Sequence, residues 1–332
     1  MKKILLLTTG GTIASRWTEQ GLSPGINCQD ILQMLPVLQE NFIIDSKDIF
    51  NLDSSNVQPE EWQYMAEVIA EALPRYDGII ITHGTDTMAY TASALSYMLQ
   101  NLNKPVVLTG AQIPIEQMFT DAEMNLQVAF AAVNIGISGV VIAFDGKIIN
   151  GCRSVKVRTL GFDAFESISA PYMGEVYADG VHIKSKNTCV LRKGTFKLKK
   201  ELCTDVFLLK LIPGTNPEIF DWLQQMKYRG IVIEAFGAGG THFERRNLTE
   251  KLKKLVESGV SIVVCSQCLY EKSDLSLYEV GRRLLECGVI PGRDMTTEAI
   301  VTKLMWALGQ TKNPLEVRQI FDTNYAGEVT LE

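Results

Sequence analysis

Thr85 and Asp86 stand in the run Thr82-His83-Gly84-Thr85-Asp86-Thr87, directly after the apolar stretch Gly78-Ile79-Ile80-Ile81 and directly before a helical segment from Met88 to Leu99. In an open parallel sheet, ligands bind in the crevice beyond the carboxyl ends of the strands, because loop backbones and helix amino-termini converge there. Gly84 permits close backbone approach. If one of Thr85, Asp86 and Thr87 caps the helix, at least one hydroxyl and one carboxylate remain to face a ligand. The competing reading is that all three only cap, which is ordinary at a strand-to-helix turn.

Three further strand ends send polar groups toward the same crevice: Thr9 to Thr12 around Gly10-Gly11, Ser54-Ser55, and Thr109 to Gln112. Convergence from four strands is more specific than any one motif. A hydrolase needs a nucleophile, a group to take its proton, and donors for the oxyanion. Histidine is the usual base, but of the three present only His83 lies beside Thr85 and Asp86, while His182 and His242 fall outside this run. Lys156 is another candidate. Burial would pull it toward neutral and a nearby Asp86 toward charged, and the plainer reading is a solvated strand lysine between Arg153 and Arg158. There is no G-x-x-x-x-G-K-[ST], and Gly10-Gly11 does not extend to G-x-G-x-x-G. Gly237-Ala238-Gly239-Gly240 comes nearer, but His242 takes the sixth position.

The elements that must carry these groups alternate. Lys3 to Leu7, Gly78 to Thr82, Pro105 to Thr109 and Gly139 to Phe144 read as buried strands, with helices between them. That is the pattern of a parallel sheet covered on both faces. At 332 residues two domains are expected. Residues 1–184 form the larger N-terminal α/β domain, with a mostly parallel sheet and the site. Residues 185–204, polar and basic, form a linker, and 205–332 a smaller C-terminal α/β domain. Lys147 to Gly151 and Val155 to Arg158 read as a hairpin over the sheet's end. Ser15 to Asn27 has Gly21, Pro24 and Gly25 but no apolar period, so a mobile surface segment is expected, with the reach of a lid.

A net charge of -6 argues against nucleic acid or an anionic membrane surface as partner. No apolar run is long enough to span a bilayer. Met1 to Leu7 reads as a first strand rather than a signal peptide. Seven cysteines, an odd number, fit a reducing cytoplasm better than a disulfide framework. Cys265-Ser266-Gln267-Cys268 reads as two buried thiols closing a strand.

Thr9-Gly10-Gly11-Thr12-Ile13-Ala14 and Thr82-His83-Gly84-Thr85-Asp86-Thr87-Met88 together resemble the two signatures of the bacterial-type L-asparaginases. Asp53-Ser54-Ser55, Thr109 to Pro114, Gly161 to Phe165, Ser266-Gln267-Cys268 and Asp294 to Ala299 are similar to the cytoplasmic, type I branch. The resemblance spans essentially the whole chain. It implies hydrolysis of L-asparagine to aspartate and ammonia, with Thr12 as nucleophile and a covalent acyl-enzyme. Thr85, Asp86 and Lys156 would form the supporting hydroxyl, carboxylate and ammonium. Ser54, Ser55 and Asp86 would hold the substrate's α-groups, and the backbone at Ala111 would meet the leaving amide. No cofactor or metal is implied. The partners implied are the small-molecule substrate and a neighbouring copy in a homo-oligomer, dimer or tetramer, whose second domain finishes the site. A glutamine-preferring or broader amidase is the alternative enzyme, and a non-catalytic amino-acid-binding regulator the alternative class. One departure concerns the lid, where Leu22 occupies the place of the family's tyrosine. If another hydroxyl relays protons there, Ser15 and Thr18 are the candidates by position.

Overall fold

Residues 1–19, 21–186 and 194–331 are described by the computed structural model. They divide into two units, Met1–Lys200 with Tyr325–Gly327, and Glu201–Asn324 with Glu328–Glu332. The first unit opens with β1 (Lys3–Gly10), β2 (Ser15–Thr18), β3 (Gly21–Pro24), α1 (Cys28–Met34), α2 (Pro36–Asn41), β4 (Ile43–Leu52) and α3 (Pro59–Ala72). Then come β5 (Gly78–Thr82), α4 (Met88–Met98), β6 (Leu99–Gln100), β7 (Pro105–Thr109), α5 (Ala122–Asn134), β8 (Gly139–Phe144) and β9 (Lys147–Asn150). It ends with β10 (Ser154–Lys156), β11 (Phe165–Ser167), β12 (Gly174–Tyr177), β13 (Gly180–Ile183) and β14 (Lys197–Leu198).

Eight of these strands form one sheet in the order β13-β12-β9-β8-β7-β5-β1-β4. β4, β1, β5, β7 and β8 are parallel, whereas β9, β12 and β13 pair antiparallel. Counted along the chain, the parallel strands lie in the order 2-1-3-4-5. The direction of growth therefore reverses at β1, and the loops after β1 and β5 part to leave a crevice at the carboxyl ends. Alternation sends Ile4, Leu6, Ile80, Val107 and Val141 to one face, under α1, α2 and α5. α4 is buried nearly all round, with ten of its eleven residues inside and only Tyr90 half-buried. Such a helix is fixed by packing rather than by an amphipathic stripe. Fully burying each of Ile79, Ile80 and Ile81 stabilises the unit by about 1.5–3 kcal/mol per side chain. The crevice is thus mounted on a wholly buried strand.

The second unit has a four-stranded, all-parallel sheet of β15 (Val206–Lys210), β16 (Gly230–Ala235), β17 (Ser261–Ser266) and β18 (Ile290–Pro291). Its helices are α6 (Ile219–Gln225), α7 (Thr249–Glu257), α8 (Glu279–Glu286), α9 (Thr297–Gln310) and α10 (Pro314–Phe321). Among the described residues, no helix is long and apolar enough to cross a membrane.

Three local expectations change. Lys147 to Arg158 is not a hairpin: β9 pairs with β8, and β10 with β11, so the two runs separate at the 3-10 turn Gly151–Arg153. Ser15 to Asn27 is largely the hairpin β2–β3, with Gln20 outside the described residues. Cys265 is buried, but Cys268 is exposed, so the two do not close the strand as a pair. Within 185–204, Lys197–Leu198 pairs with β6, and 187–193 lie outside the described residues.

Candidate active site

Gly10, the last residue of β1, and Gly11 just after it both have positive φ, 98° and 77°. A Cβ on Gly10 would lie 2.5 Å from the Leu52 backbone, and one on Gly11 would lie 2.4 Å from the nitrogen of Gly84. Only glycine lets these backbones touch. The loop carrying Thr12 is therefore pressed against the loop carrying Thr85. Thr12 begins a 3-10 turn, Thr12–Ala14, and is half-buried. Among the described residues, none hydrogen-bonds its hydroxyl.

After β4, Asp53 caps the short turn Ser54–Asn56 by accepting from the Ser55 N–H at 2.8 Å, and it also takes the Ser55 hydroxyl proton. Ser54 is buried. Its Oγ accepts from the Asp86 N–H at 3.2 Å, and its carbonyl accepts from the Thr87 hydroxyl at 2.7 Å. Thr87 thus ties two loops together, and α4 begins with no side-chain cap. The side chains of Thr85 and Asp86 are left for other work.

Lys156 supplies their partner. Its Nζ donates to Thr85 Oγ1 at 2.7 Å and to Asp86 Oδ1 at 2.6 Å. Lys156 is 17% exposed and Asp86 62%, so the ammonium faces protein and the carboxylate faces the open crevice. The Thr85 hydroxyl proton goes to Gln112 Oε1 at 3.3 Å. Gln112 in turn donates through Nε2 to the carbonyls of Thr159 and Gly161.

Ala111 is buried beside Gln112, in a turn that Asp121 knits together. The Asp121 carboxylate accepts from the backbone N–H groups of Gln112 and Ile113, each at 3.0 Å, and from Asn125 Nδ2. Asn125 also donates to the Gly110 carbonyl at 2.9 Å. Sequence reasoning missed Gln112 as a partner of Thr85, and missed Asp121 and Asn125 altogether. The signal was an Asp/Asn pair four apart at the start of α5, one turn of helix and hence one face.

His83 is wholly buried, and none of its contacts reaches this group. The Gly84 carbonyl, which can only accept, takes the Nδ1 proton at 2.7 Å. Nε2 then accepts from Thr91 Oγ1 at 3.0 Å, which itself accepts from Trp62 Nε1. Burial pushes the imidazole down to about 4, against the Gly84 bond, so it is neutral and structural. His182 pairs with Asp179, and His242 is set against the Thr215 carbonyl.

The hairpin β2–β3 adjoins the Thr12 turn. Arg16 holds Glu116 through Nε at 2.9 Å and Nη2 at 2.6 Å, and Ser15 Oγ donates to the Gly11 carbonyl. Leu22 lies opposite Trp17, and both are exposed, at 43% and 68%. The hydroxyl protons of Ser15 and Thr18 go to the carbonyls of Gly11 and Gly21.

Residues 3–189 match the family described as asparaginase, N-terminal, and residues 205–321 match the glutaminase/asparaginase C-terminal domain. An L-asparaginase of Thermococcus kodakarensis is 44% identical over 99% of both chains. Its solved structure superimposes with a TM-score of 0.94, covering 99% of this chain and all of that one. L-asparaginase 1 of Escherichia coli is 34% identical over 99% of this chain and 98% of its own length. A glutamyl-tRNA(Gln) amidotransferase component of Pyrococcus abyssi is 36% identical over 99% of this chain and 77% of its own. A structure described as a probable cytoplasmic L-asparaginase from Campylobacter jejuni has a TM-score of 0.83 at 28% identity, over 97% of this chain and 99% of that one.

Proposed function

Because the chain belongs to the asparaginase family, we propose that it hydrolyses L-asparagine to L-aspartate and ammonia, with Thr12 as the nucleophile. The observation that carries this reading is the pairing of Lys156 with Thr85 and Asp86, on the loop whose Gly84 abuts Gly11. A threonine hydroxyl is inert at its own pKa and needs a neighbour to take its proton. Lys156, donating to Thr85 Oγ1, holds that hydroxyl in place, so that Thr85 can take the Thr12 proton while passing its own to the departing amide nitrogen. The Thr12 oxygen attacks the side-chain amide carbon, the carbon–nitrogen bond breaks, and ammonia leaves with the proton passed on by Thr85. Water then adds to the ester, the bond to Thr12 breaks, and the hydroxyl regains a proton as aspartate leaves.

Asp86, more than half exposed, suits the substrate ammonium, and the hydroxyls of Ser54 and Ser55 suit its α-carboxylate. The backbone at Ala111 meets the leaving amide, and Leu22 on the hairpin serves as the lid. Ser55 and Asp86 both open to solvent, the side a neighbouring copy in a dimer or tetramer would close. Cysteine usage and the description of the Campylobacter structure support a cytoplasmic location. The test is ammonia release from asparagine by the wild type and by Thr12→Ala, with circular dichroism as the control for folding. A Thr12→Ala protein working near the wild-type rate would sink the assignment.

A further inference from the structure

The segment that delivers Lys156 is tied down from several sides. Downstream, β10 pairs with β11, with Lys156 opposite Phe165 and Ser154 opposite Ser167. Upstream, the 3-10 turn Gly151–Arg153 is closed by Asn150 Oδ1, which accepts from the Cys152 N–H at 2.9 Å, and by Ser154 Oγ, which donates to the Gly151 carbonyl at 2.8 Å. Gly151 packs so closely on α4 that a Cβ there would lie 3.1 Å from the Cβ of Ala92. A further side is supplied by the end of the chain. Asn150 Nδ2 donates to the Ala326 carbonyl at 2.8 Å, and Arg153 Nε to the Gly327 carbonyl at 2.8 Å. These bonds close loops of 176 and 174 residues.

Both donors are buried, Asn150 at 7% and Arg153 at 3% exposure. A buried guanidinium stripped of a carbonyl partner is strongly penalised, so the tail and the turn hold each other in one arrangement. Tyr325–Gly327 belongs to the first unit although the residues on either side of it belong to the second. Its seat is the turn that leads to β10. We propose that Tyr325–Gly327 is a positioning element for Lys156, acting through Asn150 and Arg153. The tail fixes the turn, the turn fixes where β10 begins, and β10 sets the reach of the ammonium to Thr85 and Asp86. This rests on the role given to Lys156 above. Contacts of 2.6 and 2.7 Å leave little slack, and a displacement near 1 Å costs on the order of 10²-fold in rate.

Deleting the tail is a poor test, because it would also remove Glu328, the 2.6 Å partner of a wholly buried Lys303 in the second unit. Full-length variants avoid this. Asn150→Asp keeps the acceptor for the Cys152 N–H and loses the donor to Ala326. Arg153→Met loses the bond to Gly327, and Arg153→Lys keeps a cation able to donate there. Lys156→Met is the reference. The readouts are kcat and KM measured separately, well below each Tm, and hydrogen exchange over 150–156. For Asn150→Asp and Arg153→Met, kcat should fall about 10- to 100-fold with KM within about threefold. Exchange should quicken over 150–156 but not at Thr85–Asp86, and Arg153→Lys should recover most of the lost rate. Folded Asn150→Asp and Arg153→Met proteins with kcat within about twofold of wild type, or with unchanged exchange, overturn the proposal. If Arg153→Met does not fold, Asn150→Asp decides. If neither folds, the tail is a folding determinant rather than a positioning element, and the proposal also fails. A Lys156→Met enzyme with wild-type turnover would instead overturn the role of Lys156 itself.

Discussion

Asp86→Asn separates the stability of the crevice from its chemistry, because the carboxylate is 62% exposed while the Lys156 it pairs with is 17% exposed. An ion pair whose carboxylate stands more than half in solvent contributes only about 0–1 kcal/mol to folding, screened by water and salt. At roughly 2–4 °C per kcal/mol for a domain of this size, Tm should fall by no more than about 4 °C. Turnover should suffer far more. Asp86 is asked to make two charge-assisted contacts, to Lys156 at 2.6 Å and to the substrate ammonium. At about 1.5–3 kcal/mol each, their joint loss amounts to about 3–6 kcal/mol. That corresponds to a fall in kcat/KM of about 10²- to 10⁴-fold. The Lys156 share should appear in kcat and the ammonium share in KM. Ammonia release over a range of asparagine concentrations, with calorimetry alongside, measures all three quantities. A raised KM with unchanged kcat would refute the catalytic role of the Lys156 contact. A Tm lowered by more than about 10 °C would show that the pair is chiefly structural.

Asparagine should be preferred over glutamine by about 10- to 200-fold in kcat/KM, the worth of one misplaced methylene, and equal specificity constants would contradict the clamped geometry. His83, held near 4 when folded against 6.5 when unfolded, remains neutral while the unfolded chain takes up a proton. Its contribution is therefore full above pH 6.5 and lost as pH falls toward 4, by about 3 kcal/mol in all. Urea titrations at pH 7 and pH 4.5 should show a smaller acid loss for His83→Gln than for wild type, and equal losses would contradict a buried neutral imidazole. Leu22→Ala should slow acylation in single-turnover measurements by weakening closure of the hairpin, whereas Leu22→Tyr should be tolerated or faster. Unaltered acylation in both would show that the hairpin is dispensable for chemistry.

The strand-end loops were legible because their signals are local. Ile79-Ile80-Ile81 reads as a buried strand, and the polar run after it can only lie at its carboxyl end. Gly10-Gly11 reads as a tight turn, and the structure adds what it is tight against. The resemblance supplied roles for Thr12, Thr85, Asp86 and Lys156, and the structure brings the last three into direct contact. What the sequence hid depends on distant partners. Lys147 to Arg158 alternates like a hairpin, yet the turn at Gly151–Arg153 sends β10 to β11 instead. The bonds from Asn150 and Arg153 to Ala326 and Gly327 join residues too far apart for any spacing rule. The lid stretch carried no apolar period because a two-stranded hairpin with both faces largely wet needs none. His83 looked like a neighbour of the chemistry and is instead a buried link between Thr91 and Gly84.

If Thr12 carries the acyl group, the covalent intermediate can be trapped on it. Enzyme mixed with asparagine and quenched in acid within one turnover should show a mass increment of one aspartyl group, confined on digestion to the peptide bearing Thr12 and absent from Thr12→Ala. An increment on another peptide, or its persistence in Thr12→Ala, would contradict the account.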